Sequence, residues 1–89
     1  MTEKYFNQSI RKYDLDDLLF KRMEIVELMY RFEDENLIKA LKYNKNAMNL
    51  TLIIISEFGA NYGEYKVFRN LAEKSIEYEY KLNGGFFNK

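Results

Sequence analysis

Apolar residues recur along this chain with a helical period. Leu15, Leu18, Leu19, Met23, Ile25, Val26, Met29 and Tyr30 fall within one arc of about 160° on a helical wheel. Leu37, Ala40, Leu41 and Tyr43 continue the same arc in phase, so the pattern predicts one long helix over residues 15–43, bent near Glu33. The competing reading ends that helix and starts another with Asp34 as its cap. Asp14, followed by acidic Asp16 and Asp17, has the chemistry of the first N-cap.

Asn44-Lys45-Asn46 reads as a connection, with Asn46 capping a helix over residues 47–58 and Gly59 ending it. This second helix contains Leu50-Thr51-Leu52-Ile53-Ile54-Ile55, the longest nearly unbroken apolar run, expected at the centre of the core. A third helix over residues 64–82 divides cleanly. Tyr65, Val67, Phe68, Leu71, Ala72, Ser75, Ile76, Tyr78 and Leu82 occupy one half of its wheel, and Lys and Glu residues dominate the other. Residues 1–13, with Tyr5, Phe6, Ile10 and Tyr13, read as an N-terminal helix or docked arm.

The expected fold is therefore all-α, a single helical domain over residues 1–89 built as a small bundle of three main helices. The alternative is α+β, with short strands at 50–55, a β-branched run, and at 76–82, where Ile76 to Leu82 alternates strictly before Asn83-Gly84.

Composition narrows the function. With 89 residues, the core is of marginal size, which self-association would relieve. Cysteine and histidine are both absent, which removes thiolate nucleophiles, imidazole bases and zinc-cysteine sites. No recognisable arrangement of carboxylates, Lys, Tyr, Ser or Thr replaces them, so no enzymatic activity, metal or cofactor is expected. Asp14, Asp16 and Asp17 lack the glycine and downstream glutamate of a calcium loop, and Glu33-Asp34-Glu35 reads as a solvated acidic turn.

Fourteen basic and fourteen acidic side chains cancel. The electrostatic footprint of a nucleic-acid binder is therefore missing. There is no apolar run near the start and none of about 18 residues, so neither a signal peptide nor a membrane span is expected and the setting is cytoplasmic. Richness in Asn, Lys, Ile and Tyr without Pro fits AT-rich coding, common in bacteriophages and mobile elements.

Three sets of residues stand outside the packing pattern. Phe20 and Leu28, with Glu24 between them, line a narrow seam opposite the core face of the first helix, and Phe86-Phe87 follow the terminal glycines. Both are candidates for a partner or self-association surface. Lys39, Lys42 and Lys45, with Tyr43, form the one concentrated basic patch, open to an anionic ligand or a nucleic-acid phosphate, with Tyr62 or Tyr65 as further stacking surfaces. Arg22 and Glu79 intrude on apolar faces, where a charge requires a partner, and the two are candidates to meet each other.

Fifteen aromatic residues, eight of them Tyr, exceed the needs of so small a core and suit half-wet interfaces. The expected function is that of a non-catalytic, oligomeric interaction protein. It would inhibit or modulate a protein partner in the manner of small phage regulators and anti-defence inhibitors. The alternatives are a protein that sequesters a small anionic nucleotide and, more weakly, a local nucleic-acid binder.

Overall fold

A computed structural model of the chain describes residues 14–59 and 62–84, apart from the side chain of Tyr62. Three helices follow one another: α1, Leu15–Phe32; α2, Leu37–Phe58; and α3, Tyr62–Leu82. The all-α bundle of three main helices is thus the fold. Both segments considered as strands, 50–55 and 76–82, are helical. The expected N-terminal helix or arm, residues 1–13, lies outside the described residues.

Two boundaries differ from the sequence reading. The long helix of 15–43 breaks after Phe32, and the expected connection at 44–46 lies inside α2. Asn36 makes the break: its backbone N–H donates to Phe32 O at 2.8 Å, closing α1, and its side chain accepts from Lys39 N at 3.1 Å, opening α2. Asp34, the alternative cap, is a turn residue. The four residues 33–36 turn a helical wheel by about 400°, close to one full revolution, so the apolar phase survives the break. Asp14 holds the N-cap position of α1 with an extended backbone, although its side chain makes no capping bond. At the far end of α2, Gly59 sits at φ 92°, where a side chain is strained, and its N–H closes on Ile55 O at 3.0 Å.

The central helix contributes an inner line of small and polar residues. Ala40, Asn44, Ala47, Thr51 and Ile54 are buried at alternating spacings of four and three, the period of a seam between packed helices. Small side chains let the neighbouring backbones approach. Met29 of α1 and Leu71 and Tyr78 of α3 pack with Ala40 and Ala47 in one cluster, flanked by half-buried Ile25, Val26, Phe32, Leu37, Leu41, Tyr43, Met48 and Val67.

The apolar run at 50–55 is consequently not the centre of the core. Thr51 and Ile54 are its buried members, Leu50, Ile53 and Ile55 are half-buried, and Leu52 is 48% exposed. A helix can turn only one stripe inward, and here that stripe begins ten residues before the run, at Ala40.

These boundaries predict that Asn36→Ala lowers stability by about 1 kcal/mol. The loss is a fall of roughly 4–8 °C in melting temperature for a domain of this size. Asp34→Ala and Asn46→Ala should stay within about 0.5 kcal/mol. Thermal unfolding followed by circular dichroism separates the three, and equal losses would contradict the assigned break.

Candidate functional site

The outer face of α1 is fixed by what its inner face must do. Leu18 and Met29 are buried and Arg22, Ile25 and Phe32 half-buried along the inner line. This turns Asp17, Phe20, Lys21, Glu24, Glu27, Leu28 and Arg31 away from the bundle. Phe20 is 57% exposed, Glu24 is exposed and Leu28 is half-buried. Glu24, Glu27, Leu28 and Arg31 line a shallow depression. Among the described residues, Asp17, Lys21, Glu24, Glu27 and Arg31 form no ion pair. Phe86 and Phe87, the other candidates for this surface, lie outside the described residues.

The basic patch is divided by the geometry of α2. The Lys39 ammonium sits 4.7 Å from the centroid of the Phe32 ring, which stacks on Tyr43 at 5.9 Å and 24°. Lys39 and Tyr43 are thus brought together around an aromatic ring of α1. Lys45 turns to the other side, where its Nζ donates to Glu79 Oε2 of α3 at 3.3 Å. Lys42 is exposed between them. Tyr65 is exposed on α3.

Arg22 and Glu79 do not meet. Arg22 enters the bundle and Glu79 stays exposed at the surface with Lys45. The Arg22 guanidinium donates to Glu64 Oε1 at 2.7 Å and Oε2 at 3.4 Å, and to Thr51 Oγ1 at 3.0 Å. Thr51 in turn donates to Ala47 O at 2.9 Å. One residue from each helix therefore forms a polar layer, with the Arg22 and Glu64 side chains only 12% and 15% exposed. The sequence pattern did not single out Glu64, which lies in the first turn of α3, 42 residues from Arg22.

Two further polar groups lie deeper. Asn44 Nδ2 donates to Leu71 O at 2.9 Å and contacts Met29 Sδ at 3.5 Å, while Asn44 Oδ1 and the Tyr78 hydroxyl are buried without partners. Lys74 joins α3 to α1: its Nζ donates to Glu33 Oε2 at 3.1 Å and to Glu77 Oε1 at 3.4 Å, and lies 5.4 Å from the Tyr30 ring centroid. Burial opposes the Lys74 charge, but the hydrogen bond and charge of Glu33 outweigh it and hold its pKa above the ordinary value. Burial first, and then the charge of Glu33, push the Tyr78 hydroxyl up to about 12.

The described residues hold no group of three or more carboxylates placed to share a metal ion. None of their helices is long and apolar enough to cross a membrane. Comparisons with family models, curated proteins and solved structures give no match to this chain.

Two outcomes follow from the interior polar groups. Arg22→Ala removes the guanidinium that bridges Glu64 and Thr51 in a mostly buried layer and should cost about 3 kcal/mol, whereas Arg22→Met with Glu64→Leu should recover most of that loss. Chemical denaturation of the three proteins checks this, and a double variant as unstable as the single one would overturn it. Tyr78 binds its proton more tightly folded than unfolded, so its contribution is full below about pH 10 and is lost as pH rises toward 12. The raised Lys74 pKa acts in the same direction. Tyr78→Phe should therefore be at least as stable as the parent at pH 8 and lose less between pH 9 and 11.5, measured by urea midpoints across that range.

Proposed function

We propose that this chain is a non-catalytic interaction protein that binds a protein partner through the outer face of α1 and inhibits or modulates it. The observation that carries the reading is Phe20, a large aromatic 57% exposed beside Leu28 on a face the bundle does not use. Around it stand charges without ion-pair partners among the described residues: Asp17, Lys21, Glu24, Glu27 and Arg31. An aromatic anchor within a polar rim is the composition of a protein-binding hot spot. A helix of 18 residues presents such a face rigidly.

The chemistry of the basic patch favours this reading over a nucleotide or nucleic-acid ligand. Lys39 is already seated on Phe32 and Lys45 already paired with Glu79. Phe32 also stacks on the Tyr43 ring, so the group best suited to hold a base is engaged within the chain. The biological setting we infer is that of a small phage or mobile-element regulator, or an inhibitor of host defence, acting in the cytoplasm. It rests on size, composition and the absence of histidine and cysteine.

Affinity capture from the source cell tests the reading. The parent chain should retain a specific protein, and Phe20→Glu with Leu28→Glu should reduce that retention by more than about tenfold while leaving helical content intact. The interaction should survive moderate salt, unlike one carried by phosphate contacts. Equal capture by parent and variant, or capture of nucleic acid alone, sinks the proposal.

A further inference from the structure

Four large apolar side chains stand in water on the side where α2 meets α3. Ile38 is 69% exposed, Leu52 48%, Tyr65 61% and Ile76 58%. Their common side is marked by the Lys45–Glu79 ion pair, which crosses from α2 to α3 at 3.3 Å. Ile38 and Leu52 lie seven residues before and after Lys45, on its own line along α2. Tyr65 lies fourteen residues before Glu79 on the corresponding line of α3, and Ile76 one turn before it. Together the four present roughly 500 Å² of surface, spread along about 21 Å of the face with the Lys45–Glu79 pair among them.

Their placement is symmetric. Ile38 and Leu52 have Lys45 as their midpoint, and the midpoint of Tyr65 and Ile76 falls between Asn70 and Leu71. Asn44 Nδ2 donates to Leu71 O at 2.9 Å, so the two midpoints lie at one level of the bundle. A two-fold axis running across the face at that level lays Ile38 of one copy on Leu52 of the other, and Tyr65 on Ile76. Matching itself under a two-fold rotation is the requirement for an isologous interface.

We propose that the α2–α3 face is the interface of a homodimer, with α2 antiparallel to α2 of the second copy and α3 antiparallel to α3. The charges agree with this arrangement. Lys45 falls near the axis, and Glu79 of its own chain already offsets its charge, so two copies approach without two bare ammonium groups meeting. The apolar area, with its polar margin, brings each copy toward the roughly 800 Å² that one partner gives to a standard interface. This face is separate from the outer face of α1 and stands independently of the partner proposed there.

The absence of native cysteine makes a cross-linking test unambiguous. Within one chain residues 38 and 52 are about 21 Å apart along α2, beyond disulfide reach. Under mild oxidation, Ile38→Cys with Leu52→Cys should form a covalent dimer of twice 10.8 kDa. Either single variant should remain largely uncrosslinked, because like residues stand about 21 Å apart across the axis. In light scattering, the parent should have twice the chain mass, and Ile38→Glu with Ile76→Glu should weaken the dimer more than about 100-fold with helical content retained. A parent that stays at 10.8 kDa up to about 100 μM overturns the proposal. So does a dimer unaffected by the Ile38 and Ile76 charges but dissociated by Phe20→Glu with Leu28→Glu. The parent's own mass decides the matter if a variant fails to fold.

Discussion

Asn44 and Thr51 lie fully buried on the face of α2 that both neighbouring helices cover, and burying a polar side chain stabilises only where it finds a partner. Each finds one at a single place. Asn44 donates to the Leu71 carbonyl, a contact that sets the height of α3 against α2. Thr51 accepts from Arg22 and donates to Ala47 one turn back, which sets the height of α1 against α2. An apolar seam of the same spacing would tolerate sliding by a turn or a heptad. The polar layer tolerates it less, because a shift takes the mostly buried Arg22 guanidinium away from Thr51 Oγ1 or Glu64.

That constraint determines where the large apolar groups can go. A line made of Ala, Asn, Ala, Thr and Ile draws the helices close and leaves room between them for few bulky side chains, Met29, Leu71 and Tyr78 foremost. Leu18, Met29, Ile54, Leu71 and Tyr78 are buried, and the other large apolar residues of the three helices lie on the flanks or outside, covered in part or not at all. Among the described residues the buried apolar set is correspondingly short, and large hydrophobic side chains remain exposed on all three helices. The exposed groups follow from the close seam. They do not reflect a poorly formed core.

The number and kind of elements were legible in the sequence because helical periodicity survives local errors. α3 shows this most clearly: its half-wheel of apolar residues predicted a helix of 64–82 against the observed Tyr62–Leu82. The boundaries around α2 were illegible for two physical reasons. Residues 33–36 turn the wheel by nearly one revolution, so phase carried no information about the break. Asn44 and Asn46 have turn chemistry, and only the tertiary contact to Leu71 shows why Asn44 belongs inside a helix. The same blindness reached the site residues. Arg22 was recognisable as a charge in an apolar face, but its partner lies 42 residues away and could not be chosen over Glu79 by pattern alone. The recurrence of small residues at 40, 44, 47 and 51 was the available signal for the true inner face, and it was masked by the stronger apolar run beside it.

The contact between α1 and α3 is of a different kind, and it solves a different problem. Among the described residues no Cα of α1 comes within 8 Å of one in α3; long side chains bridge the gap. These two helices run parallel, both antiparallel to α2, and a parallel apolar pair is degenerate to a slide of one heptad. Arg22 pairs with Glu64 across a separation of 42 residues, and Glu33 with Lys74 across 41. The two pairs therefore demand the same register, with the cation on α1 at one end and on α3 at the other. Sliding α3 one heptad in one direction sets Arg22 against Leu71. Sliding it in the other sets Glu64 against Met29. Either move buries a charge on an apolar neighbour, a larger penalty than the gain from any exposed ion pair. The pairs thus act on specificity: they exclude wrong registers that the hydrophobic pattern alone would accept.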